Sequence, residues 1–142
     1  MTFEPRHVYP IRVFYEDTDA AGIVYYANYL KFAERARTEL LRDLGFEHRT
    51  LMERDGVVFA VRRCEADYLR PARLDDLVEV HSRVVAMKGA TLDADQVVRR
   101  GDEDLARLQI RLACLNLKGR PTRWPGPVVE AFRPYISRNR GL

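Results

Sequence analysis

The stretch Tyr29-Leu30-Lys31-Phe32-Ala33-Glu34-Arg35-Ala36-Arg37-Thr38-Glu39-Leu40 decides the fold. Tyr29, Phe32, Ala33, Ala36 and Leu40 recur at spacings of three and four, so a helix places them on one face. Lys31, Glu34, Arg35, Thr38, Arg42 and Asp43 fall largely on the other. Asn28 is a candidate cap, and Gly45 after Leu44 is a stop signal. Glu34, Arg35, Arg37 and Glu39 read as a solvated helix surface with charge pairs.

Outward from this helix the period changes. Before it, His7 to Tyr15 reads as a strand, with Val8, Ile11, Val13 and Tyr15 as β-formers and Pro10 near its start. Between strand and helix lies the polar turn Glu16-Asp17-Thr18-Asp19-Ala20-Ala21-Gly22. After it, Glu47 to Asp55 suggests a short helical turn. From Gly56 the alternation is two: Cys64, Ala66 and Tyr68, then Val78, Val80, Val84 and Ala86, then Leu92, Ala94 and Val98, then Ala106, Leu108, Ile110, Leu112 and Cys114. Turn signals at Gly89 and Gly101-Asp102 predict antiparallel neighbours and a four-strand meander. Val128 to Phe132 suggests a last helical turn. A single amphipathic helix must bury its stripe, and the sheet is the only large apolar surface on offer. The expected fold is α+β: a single hot-dog domain over residues 1–142, an antiparallel β-sheet wrapped around one long central helix. The exposed sheet edge in such a unit predicts pairing of two copies.

The composition narrows the class. With 46% hydrophobic and 32% charged residues, the 142-residue chain is that of a folded globular domain. Its net charge of +3 is too mild to imply nucleic acid. No apolar run can span a bilayer, and the first residues lack a signal-peptide pattern, so the expected compartment is cytoplasmic. Cys64 and Cys114 are expected to be buried thiols. From Arg111 onward, Lys118, Arg120, Arg123, Arg133, Arg138 and Arg140 face Glu130 alone. Such a basic end suits a phosphorylated ligand, an acidic partner, a membrane surface or simply solvent.

Phosphate-loop, dinucleotide and zinc patterns are absent, as is a Gly-x-Ser-x-Gly elbow. The chemistry is therefore expected in the loop from Tyr15 to Tyr29. It gathers Glu16, Asp17 and Asp19 just before a helix N-terminus, whose free N–H groups favour negative charge. One carboxylate attacks or activates water while the helix end holds the developing oxyanion. His7, His48 and His81 lack companions at catalytic or metal spacing, and Asp75 and Asp76 read as turn residues.

The run Tyr15-Glu16-Asp17-Thr18-Asp19-Ala20-Ala21-Gly22-Ile23-Val24-Tyr25, then Asn28-Tyr29-Leu30 and Phe32-Ala33-Glu34-Arg35-Ala36-Arg37-Thr38-Glu39, resembles the signature of the 4-hydroxybenzoyl-CoA thioesterase superfamily. More narrowly it is similar to the Tol-Pal-associated acyl-CoA thioesterase subfamily. Asp67-Tyr68, Pro71-Ala72-Arg73-Leu74-Asp75-Asp76 and Arg120-Pro121 extend the likeness over nearly the whole chain. The resemblance implies a homodimer or homotetramer that hydrolyses acyl-CoA thioesters with no metal or other cofactor. It assigns catalysis to Asp19 and to the backbone N–H of Tyr26, and gives Gly22 and Tyr25 a part in shaping the substrate loop. It also brings Lys88, and more weakly Arg62 and Arg63, near the CoA. Many members of the subfamily carry His where this chain has Tyr26. The backbone donor survives that change, so it bears on substrate range and rate rather than on reaction class. A hot-dog hydratase needs a His–carboxylate pair that the loop lacks. A different class of reading is a non-catalytic binding partner of acyl-CoA, acyl carrier protein or cell-envelope machinery.

Overall fold

The computed structural model of the protein describes residues 6–136. Arg138 and Arg140 of the basic end, and the first five residues, lie outside the described residues. Strand β1 (His7–Arg12) leads through a 3-10 turn (Tyr15–Asp17) to helix α1 (Asn28–Asp43). A short helix α2 (His48–Thr50) runs into a wider π turn (Leu51–Asp55). Strands β2 (Val57–Tyr68), β3 (Leu77–Lys88), β4 (Thr91–Arg100) and β5 (Glu103–Asn116) follow, then helix α3 (Gly126–Phe132).

The first strand is shorter than expected. It ends at Arg12, because Phe14 to Asp17 folds back on itself through a hydrogen bond from the Asp17 N–H to the Phe14 carbonyl (2.9 Å). Helix α1 runs as its periodicity predicts, and Tyr29, Phe32, Ala33, Ala36, Leu40 and Leu41 are all buried. Burying the Phe32 side chain alone is worth about 2–3 kcal/mol. Gly45 terminates α1. Its φ of +94° lets the Gly45 N–H reach the Arg42 carbonyl (2.9 Å) and the Phe46 N–H reach the Leu41 carbonyl (3.1 Å), a Schellman cap. Asn28 is not the cap. Ala27 holds that position, and the Asn28 carboxamide instead donates to the Asp17 carbonyl (2.8 Å).

All strand pairings are antiparallel, in the order β1-β3-β4-β5-β2. This corrects the four-strand meander. β3, β4 and β5 form one, but β2 lies beyond β5 and pairs with it from Val57↔Asn116 to Tyr68↔Ala106. The link of residues 69–76 then crosses back to the other side of the sheet. The inward faces of β3 and β4 (Val78, Val80, Ser82, Val84; Leu92, Ala94, Gln96, Val98) are buried against the stripe of α1. This is the α+β hot-dog arrangement, a sheet curved around one helix.

Its two edges differ. β1 has six residues and tolerates Pro10 because an edge strand need not donate outward. β2 has twelve residues, with Val61, Cys64 and Tyr68 exposed. Exposure of Cys64 corrects the expectation of a buried thiol; the residue lies in the run 61–65, where β2 is uncovered on both faces. Cys114 is buried as expected, and both thiols are free. Burial pushes the Cys114 thiol up to about 11.

Candidate active site

The loop between β1 and α1 is woven almost wholly from backbone. Val13 continues the pairing of β1, donating to the Asp76 carbonyl (2.8 Å) and accepting from the Asp75 N–H (3.1 Å). The Asp17 carboxylate accepts the Phe14 N–H (2.8 Å), and the Asp17 carbonyl accepts the Tyr25 N–H (3.2 Å) as well as the Asn28 carboxamide. Asp17 thus spends its carbonyl and one carboxylate oxygen, Oδ2, on forming the loop.

Asp19 is differently placed. Its N–H donates to the Ile23 carbonyl (3.0 Å), its carbonyl accepts the Gly22 N–H (3.1 Å), and Oδ1 accepts the Ala21 N–H (2.8 Å). Gly22, at φ +76°, provides the left-handed residue that closes this tight turn. Three bonds fix the residue while Oδ2 has no partner among the described residues. The carboxylate is exposed, which keeps it accessible to a reactant.

Tyr26 lies just ahead of the first residue of α1. No acceptor among the described residues takes its N–H or that of Ala27. These are orphan donors of a helix start, where the partial positive charge of the helix favours an oxyanion. The Tyr25 and Tyr26 rings pack 4.8 Å apart, and Tyr68 meets Tyr26 edge-on at 5.7 Å, so an exposed aromatic wall stands beside the turn. The hydrogen bond to Tyr26 pushes the Tyr25 hydroxyl above its ordinary value.

A second layer holds the loop. The Ala72 carbonyl accepts the Val24 N–H (2.9 Å), the Leu74 N–H donates to the Gly22 carbonyl (3.1 Å), and Ile23 bridges to Arg73. The buried Tyr29 hydroxyl accepts the Ala72 N–H (2.8 Å), tying this support to α1. Asp76 anchors its far end, accepting from the Arg73 N–H (2.9 Å) and the Arg100 guanidinium (2.7 Å). Burial pushes the Asp76 carboxyl up, but the Arg100 bond, the Arg73 N–H and the charges of both arginines outweigh it and leave it below its ordinary value.

Asp19, Gly22, Tyr25 and Tyr26 therefore come together. Lys88 does not join them within one chain. It is exposed at the end of β3 opposite Leu77, the end nearest the loop, roughly 35 Å away at 3.3 Å per residue. Arg62 and Arg63 are exposed on β2, where Arg63 pairs with Glu65. The histidines lie elsewhere: His7 bonds Asp43 (2.7 Å) at the far end of α1, His48 stacks edge-on against Phe59, and His81 meets Glu79 (3.2 Å).

Two polar residues escaped the sequence reading. Arg37, read as helix surface, is half-buried and donates to the Gln96 carboxamide (2.9 Å). Gln96 is wholly buried. A signal for it existed, because Gln96 takes the inward position between Ala94 and Val98. The support given by Tyr29 and Asp76 was also missed, since each depends on a distant partner.

Residues 13–132 match the Thioesterase-like superfamily. The chain is similar to the acyl-CoA thioesterase YbgC of Haemophilus influenzae, 45% identical over 125 residues covering 87% of this chain and 92% of the relative. It is also similar to the acyl-CoA thioester hydrolase YbgC of Escherichia coli O157:H7, 40% identical over 127 residues covering 88% and 94%. A crystal structure of a probable thioesterase from Bartonella henselae superposes with a TM-score of 0.83 at 36% identity, covering 85% of this chain and 100% of that one. Fold, loop signature and relatives agree, and the chain belongs to the Thioesterase-like superfamily, within the Tol-Pal-associated acyl-CoA thioesterase subfamily.

Proposed function

We propose that the protein hydrolyses acyl-CoA thioesters at the loop of Asp19 and Tyr26. The observation that carries this reading is the presence of two incompletely bonded groups in one loop: the free Oδ2 of Asp19 and the free N–H of Tyr26. The names of the relatives supply the thioester. Its carbonyl oxygen accepts the Tyr26 N–H and gains negative charge in the transition state, which the helix start stabilises. Asp19 acts in one of two ways. As nucleophile, Oδ2 bonds to the carbonyl carbon, the C–S bond breaks, CoA leaves as thiolate, and water cleaves the resulting anhydride. As base, Asp19 takes a proton from water as that water adds to the carbon, and collapse of the adduct expels the thiolate. A thiolate is a good leaving group near neutral pH, so neither route needs a histidine acid.

The long exposed edge of β2 supports a homodimer or homotetramer built by pairing such edges. Lys88 takes part in CoA binding only across such an interface. The free thiols fit a reducing, cytoplasmic compartment. No helix of the described residues is long and apolar enough to cross a membrane.

Asp19→Asn is expected to lower turnover by about a thousandfold while the fold persists. Near-normal turnover in that variant would sink the assignment. Label from isotopic water found in Asp19 after one turnover identifies the nucleophile. Assaying acyl-CoA beside acyl carrier protein substrates separates the two donors, and binding of either without turnover favours the non-catalytic reading.

A further inference from the structure

Beneath the C-terminal half of α1 lies a cavity of about 460 Å³, within the range of small-molecule sites. Leu41, Val84, Leu92, Leu112 and Phe132 give it apolar walls. None of the loop residues Asp19 to Tyr26 lines it.

One wall carries a cation held in a buried polar knot. Gln96 is completely buried and Ser82 nearly so. The Gln96 Nε2 donates to the Ser82 hydroxyl (2.9 Å) and to the Ala33 carbonyl of α1 (3.0 Å). Both donors being used there, Oε1 is left to accept Arg37 Nη1 (2.9 Å). That is the single hydrogen bond of Arg37 among the described residues. A guanidinium has five N–H donors, so most of its capacity is free. Glu34, the only carboxylate on the cavity lining, is exposed and lies beyond ion-pair distance of Arg37. Burial pushes the Arg37 guanidinium down and the charge of Glu34 only partly restores it. Arg49 and Arg83 also line the cavity, with Arg83 bonded to Asp95 (2.9 Å). A desolvated cation without a counter-ion is costly, and an anion on an apolar chain relieves that cost.

We propose that this cavity receives the acyl group and that Arg37, held by Gln96, recognises a carboxylate at its far end. The substrates so selected are mono-CoA thioesters of dicarboxylic acids. This inference rests on the thioesterase reading and names its substrate class. At 1.5 Å per residue, Arg37 lies about 16 Å along the helix from Tyr26, and its side chain turns back towards the helix start, which suits an acyl chain of medium length.

The test is a comparison of kcat/KM for chain-matched pairs with the purified full-length protein: hexanoyl with adipoyl, octanoyl with suberoyl, and decanoyl with sebacoyl CoA. At one length or more the dicarboxylic member is expected to be preferred by about tenfold or more, the worth of one charged hydrogen bond. Arg37→Met should bring that ratio to about one or below, and Arg37→Lys, which keeps the charge but not the fork, to a value between. A wild-type ratio of one or less at every length overturns the inference, as does an Arg37→Met protein that loses both members of a pair equally. Should Arg37→Met fail to fold, the wild-type ratios and Arg37→Lys decide. Hydrolysis of plain chains without preference removes this inference alone, whereas no hydrolysis of any acyl-CoA removes the thioesterase reading with it.

Discussion

At its N-terminal end α1 meets a loop whose working groups are exposed and incompletely bonded. Along its C-terminal half it covers polar groups that are buried and bonded to one another. In the loop, Asp19 spends one carboxylate oxygen and three bonds on holding position and keeps Oδ2 free, while Tyr26 keeps its N–H. In the cavity, Gln96 spends both of its donors and one acceptor lone pair on Ser82, Ala33 and Arg37. The contrast separates two tasks. Groups that react must be unpaired and reachable; groups that select must be fixed and desolvated before the ligand arrives. Substitutions in the two regions should accordingly register in different measurements.

The widest separation is expected at Asp19. Asp19→Asn costs about 4 kcal/mol on the barrier, the equivalent of a thousandfold, and should leave Tm unmoved because the amide oxygen can still accept the Ala21 N–H. A large fall in Tm would mean that the loop, too, is a stability element. Gln96→Leu should do the reverse. It strands the Arg37 cation and the Ser82 hydroxyl, and is expected to lower unfolding free energy by about 3 kcal/mol in denaturant titration. Unchanged stability would show that water reaches the knot freely. Gly22→Ala tests the boundary of the comparison. A Cβ there meets nothing within 4 Å, so the whole cost is the φ of +76°, about 1–2 kcal/mol. Because that strain falls on the turn of Asp19, turnover should drop more than global stability.

The smallest effect concerns acid. The Asp76 carboxyl lies below its ordinary value of 3.8 in the fold. Its contribution is therefore fully present above that value and is lost as pH falls through it towards the folded value. The pair with Arg100 is only partly buried, so the loss should be about 1 kcal/mol or less. Asp76→Asn should remove this part of the acid slope of stability; an unchanged slope would transfer it to other carboxylates.

Legibility of the fold followed locality. The stripe of Tyr29, Phe32, Ala33, Ala36 and Leu40 and the alternation in β3, β4 and β5 are periodic, and period is a property of neighbours along the chain. The helix stop at Gly45 was equally local. The position of β2 was not. Its alternation fits beside β3 or beside β5, and only the crossing link of residues 69–76 distinguishes them. The exposure of Cys64 was equally non-local, since what covers the faces of β2 depends on elements far away in the chain, and its middle is left uncovered. The candidate loop of Asp19 and Tyr26 could be singled out from sequence because the loop is short and its signature contiguous. Arg37 could not, because Glu34, Arg35 and Glu39 around it are ordinary surface charges and its partner is 59 residues away.

By itself, then, the sequence determined the elements, the family and the loop proposed to react, all of which are written in residues close together in the chain. Tertiary structure alone decided which edge of the sheet stays open, which loop backs the turn of Asp19, and that Arg37 points its charge into an apolar cavity. Those outcomes depend on hydrogen bonds and desolvation between residues far apart in the chain. Their energies exist only once the sheet has closed around α1.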